Sequence, residues 1–89
     1  MTLAPTLTTL DALQAGQSAT VIHLAPSSHG HGAAGADVSR RLMELGFVPG
    51  ERIRMLKRGL PGGPVAVKVG QSTFALRRFE AALISIQPE

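Results

Sequence analysis

Within Arg41-Leu42-Met43-Glu44-Leu45-Gly46-Phe47-Val48-Pro49-Gly50-Glu51 the chain specifies a helix, its stop, a tight turn and the start of a strand. Asp37 is placed to cap that helix, and Val38, Leu42 and Leu45 then fall at i, i+4 and i+7 on one face. Gly46 stands where a helix commonly ends with positive φ, a conformation glycine adopts without a Cβ clash. Val48-Pro49-Gly50-Glu51 puts proline and glycine at the two central positions of a type II turn. Nothing in the segment is a catalytic constellation; its chemistry is structural.

The rest of the chain reads as short strands. Thr8-Thr9-Leu10-Asp11 fits a helix start, so residues 8–15 are expected to form a short N-terminal helix ended by Gly16. Residues 18–24 are β-rich and make a first strand. Residues 25–36 hold one proline, three glycines, two serines and two histidines, the composition of a flexible loop. The principal helix follows at about 37–45. Across 51–58, Arg52, Arg54 and Arg58 share one parity, and Ile53, Met55 and Lys57 the other. Val65, Val67 and Val69 alternate with Ala66 and Lys68 as a half-buried strand. Gly70-Gln71 has glycine first, as a type II′ hairpin prefers, and leads into a strand at 73–77 with Phe74 and Leu76 on one face. One helical turn at 78–82 and a closing strand at 83–87 complete the chain. Five short strands around one principal helix imply a mainly β fold, a small barrel that removes free edges and builds one core. Residues 1–6 are expected to be a flexible N-terminus and 7–87 a single domain.

Composition narrows function by exclusion. With 89 residues the chain is one small domain, and with no cysteine it has no disulfide, thiolate metal site or cysteine nucleophile. That composition suits a reducing cytosol. Met1 to Thr9 lack the basic head and apolar run of a signal peptide, and no apolar stretch approaches the roughly 20 residues that cross a bilayer. A soluble, cytoplasmic protein without direct membrane insertion is the expectation. The formal net charge of +3 suits a weakly anionic partner surface. Nucleic-acid binding is not expected: there is no Trp or Tyr to stack bases, and the one good helix presents only Arg40 and Arg41. The glycine-rich stretch 59–64 lacks a following Lys-Ser/Thr, and Pro61 and Pro64 lack the N–H donors of a phosphate cradle. The six carboxylates are scattered with no catalytic spacing, so no enzyme is expected.

Three stretches in order carry a resemblance: Arg41-Leu42-Met43-x-Leu45-Gly46-Phe47-x-Pro49-Gly50, the turn Gly62-Gly63-Pro64, and Phe74-Ala75-Leu76-Arg77-Arg78-Phe79-Glu80-Ala81-Ala82-Leu83-Ile84. Over residues 7–87 the chain resembles the FeoA family, the small cytosolic component of bacterial ferrous-iron transport. The resemblance implies an SH3-like five-stranded β-barrel. It also implies a role in assisting FeoB, the membrane ferrous-iron transporter with a cytosolic GTPase domain, with no cofactor required. Related barrels resemble appendages of iron-dependent repressors, but this chain has no helix-turn-helix of its own.

Two sets of residues then stand out. His29-Gly30-His31 places two imidazoles on a glycine loop, with His23 at the end of the preceding strand. Imidazole suits transition metals such as zinc or iron, and a second chain or Asp37 could complete the shell, bridging a homodimer. A solvated polar loop is the competing reading. On the helix–turn segment, Met43 and Phe47 are candidate apolar anchors for a protein partner beside Arg41, although both residue types commonly fill cores. Arg52, Arg54 and Arg58 form either a docking stripe or a charged, solvated barrel face. Arg40, Arg41 and Arg58 are chemically able to act in trans on the transporter's GTPase, and no sequence feature selects one.

Overall fold

The computed structural model describes residues 7–25, 33–59 and 61–89. In chain order it runs β1 (Thr8–Thr9), a 3-10 turn (Leu10–Ala12), β2 (Ser18–Leu24), α1 (Ala33–Leu45), β3 (Arg52–Arg58), β4 (Val65–Val69), β5 (Ser72–Leu76), α2 (Arg78–Ala81) and β6 (Ile84–Pro88). The six strands form one antiparallel sheet in the order β1-β6-β2-β3-β4-β5. Alternation sorts the side chains: Ala19 and Val21, Ile53 and Met55, Val65, Val67 and Val69, and Ile84 and Ile86 all point into one core. Leu42 of α1 and Leu10 and Leu13 of the N-terminal turn complete it. Strands from β2 to β6 reach a common core because the sheet curls on itself.

Three expectations are corrected here. The N-terminal helix at 8–15 is a strand and a 3-10 turn. Thr8 and Thr9, both β-branched, pair with Ile86 and Ser85, and the Thr9 hydroxyl bonds the Asp11 carboxylate rather than a helix N–H. That pairing makes six strands, not five, and puts α1 between the second and third. Second, α1 starts at Ala33, so Asp37 lies inside the helix instead of capping it, and residues 33–36 are not loop. Ala33, Ala34 and Ala36 are strong helix formers, and their propensity offsets the cost of Gly35. Third, the curled sheet is not free of edges, because β1 and β5 end the hydrogen-bonded order. Residues 1–6 and most of the expected loop, 26–32, lie outside the described residues.

The arginine stripe also divides. A bulge between Met55 and Lys57 breaks the two-residue period of β3. Lys57 therefore faces solvent, and Arg58 turns toward the N-terminal turn. There its Nη1 donates to the Asp11 carbonyl at 2.6 Å and the Leu13 carbonyl at 2.7 Å. Arg52 and Arg54 stay exposed, with Arg54 opposite Lys68 in the ladder.

Arg52 grips Glu89 through Nε at 2.7 Å and Nη2 at 2.9 Å. The hydrogen bond from Arg52, followed by its charge, holds the Glu89 carboxyl below the ordinary glutamate value. A carboxyl lowered in the folded state stabilises fully above its unfolded pKa, and the contribution fades as pH falls through the lowered value. A carbon-detected NMR titration is expected to place the Glu89 midpoint below that of a free glutamate, and Arg52→Ala to return it. Both side chains are largely exposed, so added salt should shrink the difference. An unchanged midpoint in Arg52→Ala would show that the ion pair does not persist in solution.

Candidate docking surface

The C-terminal end of α1 is fixed by backbone chemistry. Gly46, at φ +119°, lets its own N–H donate to the Met43 carbonyl at 3.0 Å and the Phe47 N–H to the Leu42 carbonyl at 3.1 Å. This paired 5→2 and 6→1 arrangement is a Schellman motif. Gly50, at φ +91°, then allows the type II turn, closed by Glu51 N–H to the Val48 carbonyl at 3.0 Å. Helix end and turn together form one corner, with Gly46 beside Val69 of β4 and the turn tied to β2 by Gly50 N–H to the Val21 carbonyl at 2.8 Å and Val21 N–H to the Glu51 carbonyl at 2.9 Å.

Side chains leave this corner in two directions. Phe47 goes inward: it is 0% exposed, and its ring lies 6.0 Å from that of Phe74 at 57°. It is a core residue and cannot be the surface anchor expected of it, because the Schellman turn drives the residue after Gly46 onto the helix it has just left. Met43 points outward at 42% exposed, and Leu45, expected on one face with Val38 and Leu42, is exposed at 37%. Phe79 on α2 is also outside, because the single turn of α2 buries Glu80 and Ala81 instead.

Arg41 links α1 to α2. Its Nη2 donates to Glu80 Oε2 at 2.7 Å, and the other carboxylate oxygen accepts the Arg77 N–H at 2.8 Å. The Glu80 side chain is nearly buried while that of Arg41 is 62% exposed, so the guanidinium still faces solvent. Beside this pair a cleft of about 360 Å³ is lined by Arg41, Leu45, Phe74, Ala75, Leu76, Arg77 and Glu80. Helix end, edge strand and α2 therefore present apolar and cationic groups on one continuous surface.

The sequence model of the FeoA domain matches residues 8–88. The chain belongs to the FeoA family. Among solved structures, it is similar to Stenotrophomonas maltophilia FeoA complexed with zinc, described as a prokaryotic SH3 domain protein. The two are 38% identical over 92% of this chain and 95% of that one, with a TM-score of 0.76. FeoA from Chlorobium tepidum is 31% identical over 90% of this chain and 69% of its own, with a TM-score of 0.73. A manganese-dependent transcriptional repressor shares the fold alone: 22% identity, TM-score 0.78, and 98% of this chain matched to 44% of that one. No curated protein sequence matches. An SH3-like fold is thus common to the FeoA family and to this chain.

The histidines divide differently. His23 is exposed on β2, opposite Ser85 of β6. His29 and His31 lie outside the described residues. Among the described residues, no three His, Cys, Asp or Glu side chains come together as metal ligands would. No described helix is long and apolar enough to cross a membrane. Of the expected anchors, the structure exposes Arg41 and Met43 at the end of α1, with Arg41 and not Met43 lining the cleft, and buries Phe47. Sequence reasoning missed Leu45, Glu80 and the edge of β5. Glu80 had a signal, standing three residues after Arg77 at the head of a helical turn, where a carboxylate reaches back to the N-cap N–H.

Proposed function

We propose that this chain is a cytoplasmic accessory protein of ferrous-iron uptake, which binds the cytosolic part of a FeoB-type GTPase transporter and favours one of its states. Family membership supports the pathway, and a role as an activating factor of bacterial ferrous-iron transport has been suggested for the S. maltophilia relative. The observation that carries a docking role is the placement of Met43 and Leu45. Both are large apolar side chains exposed at the helix end, and Leu45 lines the cleft together with the exposed Arg41 guanidinium. Docking can promote transport only by differential affinity: the surface must fit one transporter state better than another.

The test is co-purification with the ferrous transporter from solubilised bacterial membranes. Met43→Glu is expected to weaken retention about tenfold or more, as for a buried anchor, with no fall in thermal stability. Retention unaffected by that change would move the site. No retention in any nucleotide state would overturn the transporter reading.

A second reading, zinc binding through His29 and His31 together with His23, is favoured by the zinc complex of the S. maltophilia relative. Replacing His29 and His31 by alanine separates the two roles, because a docking module keeps the transporter and loses only the metal.

A further inference from the structure

The two ends of the sheet are protected unequally. β1 is an edge of only two residues, too short to template another strand. β5 is five residues long, Ser72-Thr73-Phe74-Ala75-Leu76, with no proline, no charged residue and no register shift against β4. Within the strand itself, none of the sequence devices that blunt an edge is present.

The register identifies which groups are open. Val69 faces Ser72 across the two-residue turn, Val67 faces Phe74 and Val65 faces Leu76. In a two-residue hairpin these are the hydrogen-bonded pairs, so the N–H and C=O groups of Thr73 and Ala75 point away from β4. Neither residue has a further hydrogen bond among the described residues. Successive strand residues point to opposite faces, yet Phe74, Ala75 and Leu76 all line the cleft beside α1. Such a cleft runs along the strand's edge, not over one face.

We propose that β5 takes an added strand: an extended, acidic segment of a partner protein that pairs with Thr73 and Ala75 and places alternate apolar side chains against Leu45 and Phe74. The charge follows from the rim. Arg41 and Arg77 are exposed there, while the one acid, Glu80, is buried and held by Arg41 and the Arg77 N–H. The accessible charge of the cleft is cationic. Main-chain pairing supplies affinity in this mode, and alternate side-chain pockets supply selectivity. The inference rests on the proposal that this face docks a protein, and it names the form of the segment.

The test uses the folded chain and a set of capped peptides, with no transporter present. In the set, glutamate alternates with valine, leucine or phenylalanine; a control set carries lysine in place of glutamate. Acidic peptides are expected to bind at up to millimolar concentration and to slow hydrogen exchange of the Thr73 and Ala75 amides. The lysine set is expected to bind at least about tenfold more weakly. Ala75→Pro removes one outward donor without touching the β4 ladder, and should weaken binding about tenfold. Methylating alternate peptide nitrogens should do the same with no change to the protein, so the result does not depend on how well Ala75→Pro folds. The proposal is overturned if no acidic peptide binds, if the lysine set binds equally, or if binding leaves both amides unprotected. Those failures, alongside intact retention on the transporter, would remove the edge-pairing mode and leave the docking role standing.

Discussion

Phe47→Ala is expected to lower the unfolding free energy by about 3–5 kcal/mol, the range for truncating a fully buried phenylalanine. The side chain is 0% exposed, and its tilted contact with Phe74 at 6.0 Å falls in the favourable range for aromatic pairs. Relaxation around the cavity is restricted on both sides. The Phe47 N–H is held by Leu42, and the Val48–Glu51 turn follows at once. At roughly 0.05–0.15 kcal/mol per residue, a domain of this size has little stability in reserve, so the variant should be largely unfolded near physiological temperature. Urea denaturation gives the measurement, with a lower midpoint and an unchanged slope expected. Phe47→Leu keeps most of the volume and should cost only about 1.5 kcal/mol or less. Met43→Ala, on the outward side of the same corner, should stay within about 0.5 kcal/mol of the parent. The contrast between positions 43 and 47 distinguishes core from contact surface. A loss below about 1 kcal/mol for Phe47→Ala would return Phe47 to the surface as an anchor.

What the sequence makes legible here is local. Gly46, Pro49 and Gly50 act within a few residues of themselves, so the helix stop and the type II turn can be read directly, as can the valine alternation of β4 and the Gly70–Gln71 hairpin. Features that depend on distant partners are not legible in the same way. Thr8 and Thr9 become a strand because β6 lies beside them, and a helix-start pattern cannot reveal that pairing. The bulge in β3 leaves no mark in the run Arg52–Arg58, yet it sends Arg58 away from Arg52 and Arg54. Phe47 leaves the surface expected of it, and Leu45 parts from Leu42 in burial, for a related reason. Spacing gives the angle of a residue around the helix, but the depth of a core depends on which elements close over it. The candidate surface was half legible. Arg41 and Met43 could be named from the motif, whereas the open edge of β5 follows only from strand order.

Arg58→Met is the second large effect, an expected loss of about 1.5–3 kcal/mol, the range for hydrogen bonds to a charged group. One guanidinium nitrogen ties two carbonyls, those of Asp11 and Leu13, to the end of β3. The segment it secures carries Leu10 and Leu13 into the core and is otherwise joined to β3 through Gly16 N–H to the Met55 carbonyl and Met55 N–H to the Gln17 carbonyl. Methionine preserves most of the aliphatic stem, so the loss reports the hydrogen bonds more than the packing. Arg58→Lys should recover part of the stability, because an ammonium reaches as a point charge without the planar fork. Hydrogen exchange locates the effect: amides of residues 10–17 should exchange faster while the β4–β5 hairpin keeps its protection. Uniform acceleration across the sheet would instead mean that Arg58 supports the whole core. The same geometry bears on catalysis in trans. An arginine finger needs a guanidinium free to enter another active site, and Arg58 would first have to leave both carbonyls. Its loss should therefore destabilise this domain while leaving the GTPase rate of the transporter unchanged at temperatures where the variant remains folded.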